Sequence, residues 1–166
     1  GRKALMARVY LSLGSNINRH HYIRVALDTL RQVFGELVVS PVYESEAVGF
    51  DGDNFYNLVV GLHTGSSVGE LQRKIKAIED ENGRVRGGPK FSSRTLDIDI
   101  LTYDDCVGVI DGVALPRDEI VHNAFVLWPL ADVAGTELHP QLQRSYGELW
   151  AEYDKSKQAL WRVELN

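Results

Sequence analysis

Taken in order, six stretches of the chain read as strand, helix, strand, strand, helix, strand. That order predicts an α+β fold of the ferredoxin-like, split β-α-β kind. Two further observations point the same way. The strand stretches alternate apolar and polar residues, as strands with one buried face do. The two helical stretches carry apolar residues three and four apart, as helices with one buried stripe do. The expected architecture is a mostly antiparallel sheet with the first two helices on one face and extra helices toward the C-terminus. A length of 166 residues suits one domain with one good core, so residues 1–166 are expected to form a single unit.

Arg8 to Leu13 puts Val9, Leu11 and Leu13 on one face and reads as the first strand, broken by Gly14-Ser15-Asn16. Asn18 is placed to cap a helix in which Ile23, Ala26, Leu27, Leu30, Val33 and Phe34 follow at helical spacing, and Gly35 stops it. Leu37 to Tyr43 reads as the second strand, with Pro41 marking an edge or a bulge because it has no N–H to give. Glu44 to Asp53 reads as a ligand-facing loop, and Phe55 to His63 alternates as the third strand. Ser66 or Ser67 caps the second helix, whose stripe is Val68, Leu71, Ile75 and Ile78 and which ends at Asn82-Gly83. After the fourth strand, Gly108 to Leu115 forms a hairpin, and Pro116 to Asp118 opens a helical region through Phe125, Leu127, Leu130 and Val133. Tyr146 to Tyr153 is a further helix and Leu160 to Leu165 a closing strand.

The fourth strand carries the chemistry. In Leu96-Asp97-Ile98-Asp99-Ile100-Leu101 the acidic residues alternate with apolar ones. Residues two apart on a strand share a face, so Asp97 and Asp99 lie side by side with Leu96, Ile98 and Ile100 opposite. Paired carboxylates repel, and a hard cation such as Mg²⁺ relieves that repulsion, above all one that also holds a nucleotide phosphate. The strand is expected to be central or nearly so, with its carboxylates on the open face. Just before it, Arg84, Arg86, Lys90 and Arg94 gather four cations among Gly83, Gly87, Gly88 and Pro89, in a chain of net charge −5. A cationic, glycine-rich loop leading into two carboxylates is what phosphoryl transfer from a metal-nucleotide requires.

Composition bounds the rest. Hydrophobic residues make up 44% and charged residues 25%, the balance of a soluble globular protein. No apolar run approaches the ~20 residues of a membrane span, and no signal peptide is evident. Met6 reads as the natural start, with Gly1 to Leu5 an appended stretch. Cys106 is the only cysteine, which excludes an internal disulfide and fits a cytoplasmic location. The acidic net charge and the absence of a basic stripe argue against nucleic acid as a partner and for a small anionic ligand. The histidines have no metal-ligand spacing.

Five stretches together resemble a known family. They are Leu13-Gly14-Ser15-Asn16, Phe55-Tyr56-Asn57, Glu79 through Gly83-Arg84-Val85-Arg86, Ser93-Arg94-Thr95-Leu96-Asp97-Ile98-Asp99-Ile100-Leu101, and Ala124-Phe125-Val126-Leu127-Trp128-Pro129-Leu130. From about Val9 to about Pro140 the chain resembles the 6-hydroxymethyl-7,8-dihydropterin pyrophosphokinases of folate biosynthesis. The resemblance implies transfer of pyrophosphate from ATP to the pterin hydroxymethyl group, leaving AMP. It implies that Asp97 and Asp99 hold two Mg²⁺ ions and that Arg84 and Arg94 stabilise the moving charge. It gives the pterin Ser45, Val48, Phe55, Asn57, Phe91 and Phe125, with the ring between Phe55 and Phe125. It gives ATP Lys76, Arg86, Arg94, Ile100 and Arg117. A cytoplasmic monomer acting on ATP and a reduced pterin is expected, with neither nucleic acid nor membrane as partner.

Several positions depart from the family pattern. Phe55 stands for the usual Tyr, Phe91 for Trp, Ser92-Ser93 for Gly-Pro, and Glu46 for Pro. Gly112 and Asn123 stand where basic residues are usual, so the ATP half is less cationic, with Arg117 as a replacement cation. Two readings stay open at this stage: an active pyrophosphokinase, and a pterin- or nucleotide-binding paralogue with weakened catalysis.

Overall fold

The computed structural model describes residues 6–47, 52–83 and 95–165. Strand β1 (Ala7–Ser15) leads to helix α1 (Arg19–Phe34). Asn18 takes the N-cap position in a left-handed conformation, and its side chain makes no capping bond; Gly35, at φ 83°, ends the helix. The expected second strand is divided into β2 (Val38–Val39) and β3 (Val42–Ser45). Pro41 lies at the break, and there the Ser40 Oγ accepts the Val59 N–H that a continuous strand would have bonded through its main chain. Strand β4 (Phe55–Thr64) follows, then α2 (Val68–Glu81), whose first turn is closed by a reciprocal capping box between Ser67 and Glu70.

Strand β5 (Asp97–Tyr103) is followed by the expected hairpin of β6 (Gly108–Ile110) and β7 (Val113–Leu115). The helical region beyond it is two helices, α3 (Glu119–His122) and α4 (Ala124–Ala134), because Asn123 is extended between them. Helix α5 (Tyr146–Glu152), a single 3₁₀ turn at Lys155–Lys157 and strand β8 (Leu160–Val163) complete the described chain.

The main sheet runs β5-β1-β4-β3-β8, with β2 also on β4, and every pairing is antiparallel. The first four of these are the strand order of a split β-α-β fold. They also correct one expectation: among the described residues β5 is an edge strand, paired only with β1 in this sheet, and is not central. The crossovers through α1 and α2 bring β1 and β4 to the middle and leave the fourth strand outside.

Alternation then sorts the side chains. Val9, Leu11, Leu13, Leu58, Val60, Ile98 and Ile100 pack on one face beneath Ile23, Leu27, Leu71 and Ile75 of α1 and α2. On the other face Tyr10, Val59 and Leu101 pack with Ile120, Leu127, Leu130 and Tyr146 of the C-terminal helices. No described helix is long and apolar enough to cross a membrane.

Candidate active site

The register of three strands assembles a row. Gly14 on β1 lies opposite Asn57 of β4 on one side and opposite Asp97 of β5 on the other. One step along, Ser12 lies between Val59 and Asp99. On β3, Tyr43 faces Asn57 and Ser45 faces Phe55. Directly opposed residues point to the same side of a sheet. Asp97, Asp99, Asn57, Ser45 and Phe55 therefore share the face that carries the C-terminal helices, and the carboxylates stand two strands, about 10 Å, from Asn57.

Gly14 is the gap in this row. A Cβ there would come within 2.9 Å of the Asn57 Oδ1, so only glycine lets that amide lie over β1. The Asn57 Nδ2 donates to the Ser45 Oγ at 3.3 Å, and both residues are buried. Phe55 is half-buried at the start of β4, and Phe125 is half-buried in the first turn of α4. Helix α4 is fixed to this face by Trp128, whose ring centroid is 4.3 Å from that of Tyr43. The two rings expected to enclose a flat substrate thus rise from the sheet and from the helix above it.

At the other end of the row, burial is the main cause that pushes the Asp99 carboxyl up to about 7 from its ordinary 3.8. The charge of Asp97 adds to it, Arg117 opposes it, and Glu119 and Glu79 contribute more distantly. Arg117 is anchored by its own N–H, which donates to the Leu101 carbonyl at 2.8 Å. Its Nη2 lies 3.5 Å from the Asp99 Oδ1, while Nη2 and Nε lie 2.7 and 3.0 Å from the Glu119 Oε1. Two hard carboxylates on one face, with burial and the Asp97 charge both opposing ionisation of Asp99, are a donor set that fits Mg²⁺.

Of the other expected residues, Lys76 is exposed on α2, the helix that packs on the opposite face. The Ile100 side chain also faces that way, into the core, so only its main chain is available to a nucleotide. Val48, Arg84, Arg86, Phe91 and Arg94 lie outside the described residues.

Two residues beside the site have no role assigned from the sequence: Glu119, and Glu79, which is named only as part of the family pattern. Glu119 seats the Arg117 guanidinium, and its only sequence signal is a carboxylate two residues beyond a lone arginine. Glu79 is buried, and its Oε2 accepts the Ile98 N–H at 2.7 Å, closing the free edge of the strand between the two aspartates. Its signal is an acidic residue beside the buried stripe of an amphipathic helix. A separate polar cavity of about 480 Å³ lies by the N-terminus of α1, and there Arg19 is paired with Glu44 and the Asn54 carbonyl.

The profile of the 7,8-dihydro-6-hydroxymethylpterin-pyrophosphokinase family matches residues 10–135. The chain belongs to this family. An Aquifex aeolicus relative, 2-amino-4-hydroxy-6-hydroxymethyldihydropteridine pyrophosphokinase, is 38% identical over 137 residues, which are 81% of this chain and 85% of the relative. A Pseudomonas aeruginosa protein of the same name is 37% identical over 134 residues, 78% of this chain and 82% of its own length. Among solved structures, a Plasmodium falciparum HPPK-DHPS chain superimposes with a TM-score of 0.72 over 92% of this chain at 16% identity, which speaks to the fold alone. This chain spans 42% of that longer one. The family match covers the residues of β3, β4, β1 and β5 that build the row from Ser45 to Asp99, and the whole of α4, whereas α5 and β8 lie beyond it.

Proposed function

We infer that this chain transfers pyrophosphate from ATP to the hydroxymethyl group of 6-hydroxymethyl-7,8-dihydropterin, giving AMP and the pterin diphosphate in folate synthesis. The observation that carries the reading is the row itself: a carboxylate pair at one end and a buried amide–hydroxyl pair at the other, open over Gly14. Family membership supports the reaction class.

The roles follow from the chemistry of each group. Asn57 offers both a donor and an acceptor to the edge of a pterin, with Ser45 fixing its amide. Phe55 and Phe125 supply faces on which a flat heteroaromatic stacks. By the family pattern Val48 and Phe91 belong to the same pterin contacts, and Arg84, Arg86 and Arg94 to the phosphate contacts, with Lys76, Arg117 and the Ile100 main chain serving ATP. Two Mg²⁺ ions on Asp97 and Asp99 would neutralise phosphate oxygens and lower the pKa of the attacking hydroxyl. That oxygen forms a bond to the β-phosphorus, the bond from the β-phosphorus to the α,β-bridging oxygen breaks, AMP leaves, and the hydroxyl proton passes to solvent. A strong general base is not required.

The same reading takes residues 1–166 as one cytoplasmic, monomeric unit acting on small molecules, with neither nucleic acid nor membrane as partner. Nothing in the fold or the comparisons favours a binding paralogue with weakened catalysis. The site assignment is tested by Asp97→Ala and Asp99→Ala. Each should lose turnover by at least about a hundredfold while still binding the pterin in calorimetry. Turnover retained in either variant would show that the carboxylates do not hold the metal.

A further inference from the structure

Arg117 has two seats. Its guanidinium reaches Asp99 through one nitrogen at 3.5 Å and Glu119 through two, at 2.7 and 3.0 Å. The first contact is a charge pair at the limit of hydrogen bonding; the second is a two-pronged, charge-assisted bond. Because the main chain of Arg117 is tied to Leu101, a change of side-chain torsion decides how the guanidinium is shared. The side chains of Arg117 and Asp99 are 36% and 26% exposed, so solvent and ions reach the pair.

We propose that Arg117 is the resident counter-cation of Asp99, and that Glu119 is the positioning residue that draws it off when a divalent cation occupies the Asp97–Asp99 pair. This rests on the reading that those carboxylates bind the metal. A guanidinium beside Asp99 repels an incoming Mg²⁺ or Mn²⁺ and competes for the same oxygens. Glu119 offsets that charge and gives the guanidinium somewhere else to bond. The cation then stays beside the site, available to a nucleotide phosphate, without closing it to metal. The Glu119 Oε2 also lies 3.5 Å from the Asn123 Nδ2, so the seat is held at the junction of α3 and α4.

The two residues therefore act on metal affinity with opposite signs. The test is Mn²⁺ alone, titrated without nucleotide and followed by the electron paramagnetic resonance signal of the free ion. The proteins are the unaltered chain and the variants Arg117→Ala, Glu119→Gln, Glu119→Asp and Asp97→Ala. Arg117→Ala should bind Mn²⁺ at least about fivefold more tightly, and Glu119→Gln at least about fivefold more weakly. Glu119→Asp, which keeps the carboxylate, should return affinity to within about twofold of the unaltered chain. A purely structural role would weaken binding in both Arg117→Ala and Glu119→Gln. That result, or no change in either while Asp97→Ala abolishes binding, would overturn the proposal and leave the metal reading standing. Mn²⁺ binding that survives Asp97→Ala unchanged would overturn both.

Discussion

Replacing Asp99 by Asn should stabilise the metal-free protein at pH 8 while abolishing its chemistry. Burial and the neighbouring Asp97 push the Asp99 carboxyl up to about 7, so the fold favours its protonated form. The unfolded chain ionises it near 3.8. The stability contributed by the protonated form is fully present below the unfolded value and is lost as pH rises through the folded one. Above about pH 7 the fold carries an ionised group it disfavours. Moving a carboxyl from 3.8 to about 7 is worth at most ~4 kcal/mol. With the side chain 26% exposed and Arg117 beside it, ~1–3 kcal/mol is the realistic range. For a chain of this length that corresponds to roughly 3–10 °C in melting temperature. The assay is thermal unfolding of both proteins with chelator present, at pH 8 and pH 5. Asp99→Asn should melt higher at pH 8, and the gap should close toward pH 5. Saturating Mg²⁺ should raise the unaltered protein at pH 8 and leave the variant nearly unmoved. A variant that melts at or below the unaltered protein at pH 8, or a gap that does not depend on pH, would show that the fold does not disfavour the Asp99 carboxylate.

Gly14→Ala should displace the Asn57 amide, because the new Cβ would sit 2.9 Å from its Oδ1. Losing one or two hydrogen bonds to the pterin predicts a rise of about 5–30-fold in pterin KM with ATP KM nearly unchanged, read by steady-state kinetics; an unchanged pterin KM would remove Asn57 from the pterin site. His139 is buried, and its Nδ1 accepts the N–H groups of Gln141 and Leu142 at 3.2 and 3.0 Å. Burial lowers its pKa below 6.5, so its contribution is present above 6.5 and is lost as pH falls through the lower, folded value. A proton NMR titration should give a midpoint below 6.5, and an ordinary or raised midpoint would contradict this. The contribution is the same in Asp99→Asn and the unaltered protein, so it cancels from the gap between them.

Much of this arrangement is legible in the residues, because much of it is local. Alternation in Leu96 to Leu101 is enough to put Asp97 and Asp99 on one face. Ser67 and Glu70 form a capping box at the spacing that starts a helix. Pro41, without an N–H, divides the second strand where an interruption is expected. What was not legible depends on distant pairing. The edge position of β5 comes from which strands α1 and α2 carry into the middle, a property of the whole topology. The seat at Glu119 exists because the turn after β7 brings Arg117 back to the end of β5, and no short window of sequence contains that return. Glu79 belongs to the family pattern, but its bond to the Ile98 N–H appears only when α2 is laid against the edge of β5. Asn123 reads as a missing cation, whereas its extended backbone is also the break between α3 and α4 that sets where Phe125 begins.

Product analysis with MgATP and 6-hydroxymethyl-7,8-dihydropterin reads the reaction itself. The prediction is AMP and pterin diphosphate formed one for one, with no ADP, and no product without the pterin or without a divalent cation. No AMP above background with both substrates saturating, or ADP in its place, would contradict it.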